Sequence, residues 1–350
     1  MLEQKSKHFV NALVQVVISV SLFMNLPLHV KGAENDFIMH HVQDAHTWHF
    51  ATIGNCHIAA PLPIIIYSRK GGLEIFSSRH FRDKNNQIGN YKGYTLNAHD
   101  KIIALDGHDF YDISITKNVA SMFISMVILL VAVLMVGKSY QRNGAQIAPK
   151  GWQAFFDLII CTIKDEIAIP NIGKKHYERF MPYLLSVFCF TWLNNLMGLL
   201  PGAANVTGNI SVTMALALFT FVMTTINGNK HYWNHIFNPP GIPKWLFPIM
   251  VPVEIIGTLV KPFSLMIRLF ANITAGHIIL LSIISLIFGL ASVYIGAISV
   301  PFGTFMFLLK LLIAFLQAYI FTLLSAIYFG GAVVDLHSKK EVLDKPKGIK

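Results

Sequence analysis

Residues 264–280, SLMIRLFANITAGHIIL, set an arginine inside an apolar helix, with Asn272 one turn further on and His277 beyond it. A charge at the centre of a membrane helix costs about 2.5–3.5 kcal/mol on insertion scales, so a specific role must offset it. The surrounding composition identifies the solvent. Of 350 residues, 54% are hydrophobic and 13% charged, and the mean hydropathy is +0.53. A soluble chain would carry about twice that charged fraction. The apolar residues also gather in runs that reach the roughly 20 residues needed to cross a bilayer. The chain is read as an integral membrane protein.

The net charge of +10 does not point to nucleic acid, because no basic stretch is interleaved with aromatic residues. Lysines and arginines gather beside the apolar runs instead, as membrane topology requires. Cys56, Cys161 and Cys189 have no metal-ligand spacing, and two lie in hydrophobic segments. No structural disulfide, metal or cofactor is expected.

Moving along the chain, residues 1–33 read as a secretory signal. Lys5, Lys7 and His8 precede the apolar run Phe9–Met24, and LPLHVKGAEN (26–35) supplies small residues at Gly32 and Ala33. A retained first membrane helix is the alternative. Residues 34–115 are polar and rich in histidine. Short β-like runs, PIIIYS (63–68), LEIFSS (73–78) and KIIALD (101–106), alternate there with turn signals. A small, partly β extracytoplasmic domain follows from that pattern.

Residues 116–335 form the membrane domain, with spans expected near 119–136, 180–200, 209–227, 246–290 and 297–329. Trp152, Phe155, Phe156, Ile159, Ile160 and Ile163 recur at helical spacing within 149–167, which predicts an amphipathic helix on the membrane surface. The last two spans exceed a perpendicular crossing, and Pro248, Pro252 and Pro262 interrupt the first of them. They are expected to tilt, kink or run partly in-plane as a hairpin. Lys138, Arg142, Lys150, Lys174, Lys175 and Arg179 flank the surface helix, Lys230 and Lys244 follow the third span, and five lysines fill the tail at 336–350. Loops 201–208 and 289–296 carry no lysine or arginine, which sets the N-terminus outside and the C-terminus inside. The fold class is therefore an all-α polytopic membrane protein of five transmembrane helices, with a small partly β domain outside.

The polar residues within the spans form stripes. Glu254, Lys261 and Asn272 fall within about 40° of Arg268 on an ideal helix, whereas His277 lies about 180° away. Ala271 and Ala275 share the Arg268 side and let another helix approach closely. Lys310, Gln317 and Tyr328 make a second stripe on the last span. If Gln317 is level with Arg268, Lys310 lies about 10 Å and His277 about 13 Å toward the outside, and Glu254 about 20 Å the other way. This is the layout of two offset partial channels meeting at a fixed positive charge. Glu254 and Lys261 read equally as interfacial residues, and Gln317 also as an interhelical hydrogen-bonding group. Snorkelling of Arg268 is disfavoured, because apolar sequence continues upstream of Pro262 to Trp245 and intramembrane charges mark ion pathways.

The segments KPFSLMIRLFANITAGH (261–277), LLIAFLQAYIFTLLSAIY (311–328) and NNLMGLLPG (194–202), with the charged hairpin before the last, resemble subunit a of the F-type ATP synthase. The resemblance covers roughly residues 110–335. It implies that Arg268 is the arginine facing the carboxylates of the rotating c-ring, and that the chain is a proton-translocating stator subunit without catalysis of its own. Asn272, His277 and Gln317 match polar positions of the family's outer half-channel, and Glu254 matches the acidic position of its inner one. The family has a histidine or an acid where this chain has Lys310, and Gly198 replaces an acid found in some members. Lys310 therefore has two readings. It exchanges protons with His277 in the outer half-channel, or it extends into the aqueous entrance and is solvated there.

Implied partners are the c-ring, the subunit b stalk, the remaining ATP synthase subunits and membrane lipid. The implied location is the bacterial inner membrane, with a periplasmic N-terminal domain and a cytoplasmic C-terminus. The signal segment together with HHVQDAHTWHF (40–50) looks like the extended subunit a of Bacteroidetes-type bacteria. His40, His41, Asp44, His46, His49 and His57 have ligand chemistry that suits zinc, but their spacing fits no common zinc motif. HTWHFATI (46–53) reads equally as a strand of a domain that packs on neighbouring subunits. Two other classes fare worse. A secondary transporter would show a second copy of the arginine segment, and a membrane hydrolase would show HExxH or GxSxG.

Overall fold

A computed structural model describes residues 44–333, apart from 54–55, 70, 82–88, 98–99, 108, 144–150, 200–203, 239–242 and 291–292. For some residues within its elements, among them 49–53, 56–59, 277, 283–290 and 293–300, it describes the backbone alone. The expected signal segment, the tail at 336–350, His40 and His41 lie outside the described residues. The chain divides into two compact units, one holding the N-terminal domain to Ala120 together with Gly198–Ala204 and Gly276–Leu311, the other holding Ser121–Met197, Asn205–Ala275 and the chain from Leu312 on.

The N-terminal domain is built from short antiparallel pairings. Strands β1 (Thr47–Ile53) and β2 (Cys56–Pro61) form a hairpin, so HTWHFATI is extended rather than helical. Strands β3 (Pro63–Ser68), β4 (Gly72–Ser77) and β7 (Phe110–Asp112) form a sheet of order β4-β3-β7, and β5 (Tyr94–Leu96) pairs with β6 (Ile102–Ala104). PIIIYS is the strand expected; LEIFSS begins one residue earlier, and KIIALD shortens to its central three residues. Gly72, at φ 71°, makes the turn between β3 and β4, a conformation that costs glycine little.

The period of two in β3 buries Ile64, Ile66 and Ser68 with Phe76, Phe81, Tyr94 and Leu96. The Phe76 and Phe81 rings meet edge to face at 5.5 Å. The opposite face carries Tyr67, Leu73, Ile75, Tyr111 and Ile113, all exposed.

This domain is tied to the first residues of helix α1 (Lys117–Asn143). The Ile113 N–H donates to the Ile65 carbonyl and the Lys117 N–H to the Ala45 carbonyl. The Asn118 N–H donates to Asp44 Oδ1 at 3.2 Å, so an acidic side chain from the domain caps the positive end of the helix. His46 is buried beside this join. Its Nδ1 lies 2.7 Å from the Asp100 carbonyl oxygen, which can only accept, so Nδ1 carries the proton. Its Nε2 lies 3.5 Å from Asp112 Oδ2.

Burial disfavours the charged imidazole, but the Asp112 carboxylate and the Asp100 carbonyl outweigh it and raise its pKa. Burial likewise pushes the Asp112 carboxyl up, and His46 and Ser114 outweigh it and hold it below its usual value. The pair supports the fold most at mildly acidic pH. The His46 share is lost as pH rises through its raised pKa, and the Asp112 share as pH falls through its lowered one.

The helical region continues with α2 (Trp152–Thr162), a π-helical stretch (Ile163–Ala168), α3 (Ile169–Ile172), α4 (Tyr177–Met197), α5 (Ile210–Ile226), α6 (Lys230–Phe237), α7 (Phe247–Leu290) and α8 (Val293–Val333). Among the described residues, four helices are long and apolar enough to cross a membrane, or five if α5 and α6, bent by 103°, count as one span. Each of the five expected spans has a helix at its position. Helix α6 was not expected. It starts because the Asn229 side chain accepts from the Lys230 N–H, and the Asn229 N–H donates to the Ala332 carbonyl. The bend is thereby pinned to the end of α8.

The expected surface helix differs in two ways. It widens into the π stretch from Ile163, ahead of Pro170, which has no N–H to continue a regular ladder. In addition, Ile159, Ile163, Ile167 and Ile172 are buried with Phe180, Leu184, Phe188 and Phe329, while Trp152 and Leu158 are exposed. Much of the aliphatic face is spent on protein packing.

Helix α7 runs through Pro252 and Pro262 without a break, and its 44 residues span about 66 Å, roughly twice the hydrocarbon thickness. Near the other end of the bundle, the Phe180 and Phe329 rings stack at 4.7 Å. A Cβ added at Gly330 would strike the Asn171 carbonyl oxygen, whereas one at Gly331 would meet nothing within 4 Å. Gly330→Ala is therefore expected to lower the amount of subunit retained in membranes, by overpacking worth about 1–3 kcal/mol. Gly331→Ala should leave it unchanged. Equal levels of the two variants would show that this crossing does not need its glycine.

Candidate functional site

Helix α7 has two distinct faces around Arg268. Leu265, Met266 and Leu269 are buried with Val187 of α4, Ala217 of α5 and Phe321 of α8. Arg268, Ala271, Asn272 and Ala275 are exposed on the other side. The guanidinium therefore points away from this unit's own core, on a face lined by small residues. Thr274 Oγ1 donates to the Gly208 carbonyl at 3.4 Å and fixes the helix to the turn before α5.

A buried polar link holds α8 in place nearby. Asn195 Nδ2 donates to the Ala314 carbonyl at 3.1 Å, and Thr207 Oγ1 donates to Asn195 Oδ1 at 2.7 Å. The second asparagine of NNLMGLLPG thus bridges α4, the turn before α5, and α8 one turn ahead of Gln317. Gln317 itself is 7% exposed. The positioning role of Asn195 was not readable from its sequence context, which shows only a polar pair inside a span.

Lys310 belongs to the other unit and is also buried, 9% exposed. A Cβ at Gly276 would lie 3.4 Å from Lys310 Cε, so the glycine leaves room for the lysine stem against α7. Position 276 adjoins His277, whose side chain is outside the described residues. Lys310 thus lies against α7 at the residue next to the His277 backbone position.

Glu254 lines a cavity of about 360 Å³. Its titratable walls are His231, Tyr232 and His235 of α6, Glu254 and Lys261 of α7, and Tyr328 of α8, with threonine hydroxyls from α5 and α7 between them. The cavity therefore joins the lower part of the α7 stripe to the Tyr328 end of the α8 stripe. His231 and His235 were missed in the sequence; the only signal was their i, i+4 spacing, which puts both on one face of a helix not foreseen there. The arrangement offers an acid, two imidazoles and an ammonium around a space large enough for several waters. Among the described residues, no group of three or more His, Cys, Asp or Glu side chains could hold a metal ion.

The family model described as ATP synthase A chain matches residues 119–330, and one described as a domain of unknown function (DUF8433) matches residues 37–121. ATP synthase subunit a of Chlorobium phaeobacteroides is 38% identical over 309 residues, covering 86% of this chain and 77% of the relative. ATP synthase subunit a 2 of Chlorobaculum tepidum is 45% identical over 240 residues, covering 66% and 67% respectively. ATP synthase subunit a of Myxococcus xanthus is 42% identical over 232 residues, covering 65% and 75%. The chain belongs to the family of subunit a of the F-type ATP synthase, a multi-pass membrane component of the complex that is not catalytic alone.

Proposed function

We propose that this chain provides two offset half-channels to the c-ring, with Arg268 as the fixed charge between them. The observation that carries this reading is the outward exposure of Arg268, Ala271, Asn272 and Ala275 on a helix otherwise anchored by Leu265, Met266 and Leu269. A charge on an apolar outer face needs an ionic partner from elsewhere, and the small residues leave space for a helix that carries one. Proton translocation in ATP synthesis is the role this family carries; the path through these residues is our assignment.

A ring carboxylate facing lipid must be protonated, since a bare ion there is prohibitively costly. Opposite Arg268 it meets a guanidinium that keeps its charge at any working pH. That charge favours the ionised carboxylate, so the proton leaves through one half-channel. Past the arginine, the carboxylate is reprotonated from the other half-channel and returns to lipid. Asn272, His277, Lys310 and Gln317 serve the outer path, and Glu254 the inner one. The guanidinium also blocks a direct leak between the two.

Residues 1–33 act as a signal in this reading, and residues 34–115 are periplasmic. The basic loops and the tail face the cytoplasm across the bacterial inner membrane. The subunit b stalk holds the chain while the ring turns.

A test of the shared surface uses cysteines. Ala271→Cys or Ala275→Cys should form disulfides with a cysteine placed beside the ring carboxylate, and Ile273→Cys, which packs inward, should not. Cross-linking of residue 273 alone would turn the helix around and overturn the reading.

A further inference from the structure

We propose that His231 and His235 are proton-exchanging groups of the inner half-channel, carrying protons between Glu254 and the aqueous phase. This rests on the assignment of Glu254 to that half-channel and adds a relay that its stripe does not contain. Helix α6 stands across the cavity from Glu254, and the two imidazoles line it from one helical face. They differ in exposure. His231 Nε2 is buried with no hydrogen-bond partner in the protein, whereas His235 is exposed. A buried polar nitrogen without a partner is uncommon. The nitrogen is closed off from solvent as the ring stands, but the His231 ring lines the polar cavity, so a turn of the side chain would bring it the water or proton donor that the cavity admits. The pair thus forms two stations, one facing inward and one at the surface. Their placement is rigid, because Asn229 caps α6 and is bonded to Ala332.

The other titratable groups lining this space are Glu254 and Lys261 of α7, Tyr328 of α8, and Tyr232 of α6 itself. Among these residue types, imidazole is the one whose ordinary range lies nearest neutral pH, so it both takes and releases protons there. The need for it follows from supply. At an encounter limit of about 10¹⁰ M⁻¹ s⁻¹, free protons at about 10⁻⁷ M reach a single site roughly 10³ times per second, and tenfold less often for each unit of pH above that. A pair of imidazoles at the mouth collects protons from buffer and water alike. Their contribution should therefore be largest when protons are drawn from this side at alkaline pH.

The test uses the complete ATP synthase in proteoliposomes with the ATP-hydrolysing face outward. ATP-driven proton pumping is measured for the parent, His235→Gln, and His231→Gln/His235→Gln, with external pH varied from about 6.5 to 8.5 around the imidazole range. The double variant should match the parent at the acidic end, fall at least about threefold behind at the alkaline end, and recover when imidazole is added outside. His235→Gln alters only an exposed side chain, so it should show a smaller loss of the same form even if the double variant assembles poorly. Parent-like rates at every pH would overturn the proposal. So would a deficit that is equal at every pH and indifferent to imidazole, which would mark a structural role. Loss of the Glu254 assignment itself would appear separately, as unimpaired pumping by Glu254→Gln alongside a histidine-dependent profile.

Discussion

Arg268→Ala is expected to abolish ATP synthesis and ATP-driven proton pumping while leaving the subunit inserted and assembled. The packing of α7 supports the second half of that expectation. Leu265, Met266 and Leu269 hold the helix against α4, α5 and α8, and the Arg268 side chain takes no part in that core. Removing it also removes the energetic penalty of a charge on an apolar face, so insertion should not suffer. The electrostatic loss is another matter. On the proposed path, a ring carboxylate that enters the interface without the guanidinium has no partner that favours its ionised form, and its proton stays on. The barrier we assign between the two half-channels is removed as well, so passive proton conduction is the expected residual activity.

Arg268→Lys should fail in synthesis too. An ammonium can lose its proton in a poorly solvated site and offers a point charge in place of a planar fork. Both variants are checked by synthesis rate and by proton conduction in membranes from which the catalytic sector has been stripped. A lysine variant with near-normal synthesis would refute the role of a permanent charge.

The second large effect is expected at Lys310. The residue is 9% exposed and its stem lies against Gly276, so it does not stand free in a wide aqueous entrance. It adjoins the His277 position, which the family resemblance places on the outer path. A lysine that remained charged there would repel incoming protons and a protonated His277 alike. Proton exchange between the two removes that conflict. On this reading, Lys310→Met should slow proton-driven ATP synthesis at least about tenfold, because a group that accepts and donates protons is replaced by one that does neither. Lys310→His should keep most of the rate, since imidazole also exchanges protons near neutral pH. Methionine has nearly the same length and volume, so packing against Gly276 is preserved. If Lys310→Met runs at the parent rate from pH 6 to 9, the lysine carries no protons and the outer path runs through water, His277 and Asn272.

Hydropathy, charge placement and helical period are properties of neighbouring residues, and what depends on them was legible in the sequence alone. They identified a membrane protein, located a helix at each of five expected spans, recognised PIIIYS as a strand, and put Arg268, Asn272, Lys261 and Glu254 on one stripe. Which side of that stripe faces the protein is not a local property. It is decided by whether Leu265 and Leu269 or Ala271 and Ala275 find partners on α4, α5 and α8, and only the folded chain shows the former. The bond from Asn195 to the Ala314 carbonyl joins residues 119 positions apart, and no periodicity encodes it. The same holds for the cavity. Glu254 and Tyr328 were noticed on separate helices, but their meeting with His231 and His235 required the 103° bend between α5 and α6, which brings α6 to the cavity that α7 and α8 also line. That bend is held by a backbone bond to Ala332, a tertiary contact between segments far apart in sequence. Local sequence chose the helices; the hydrogen bonds and packing between distant segments chose which of their polar residues face one another.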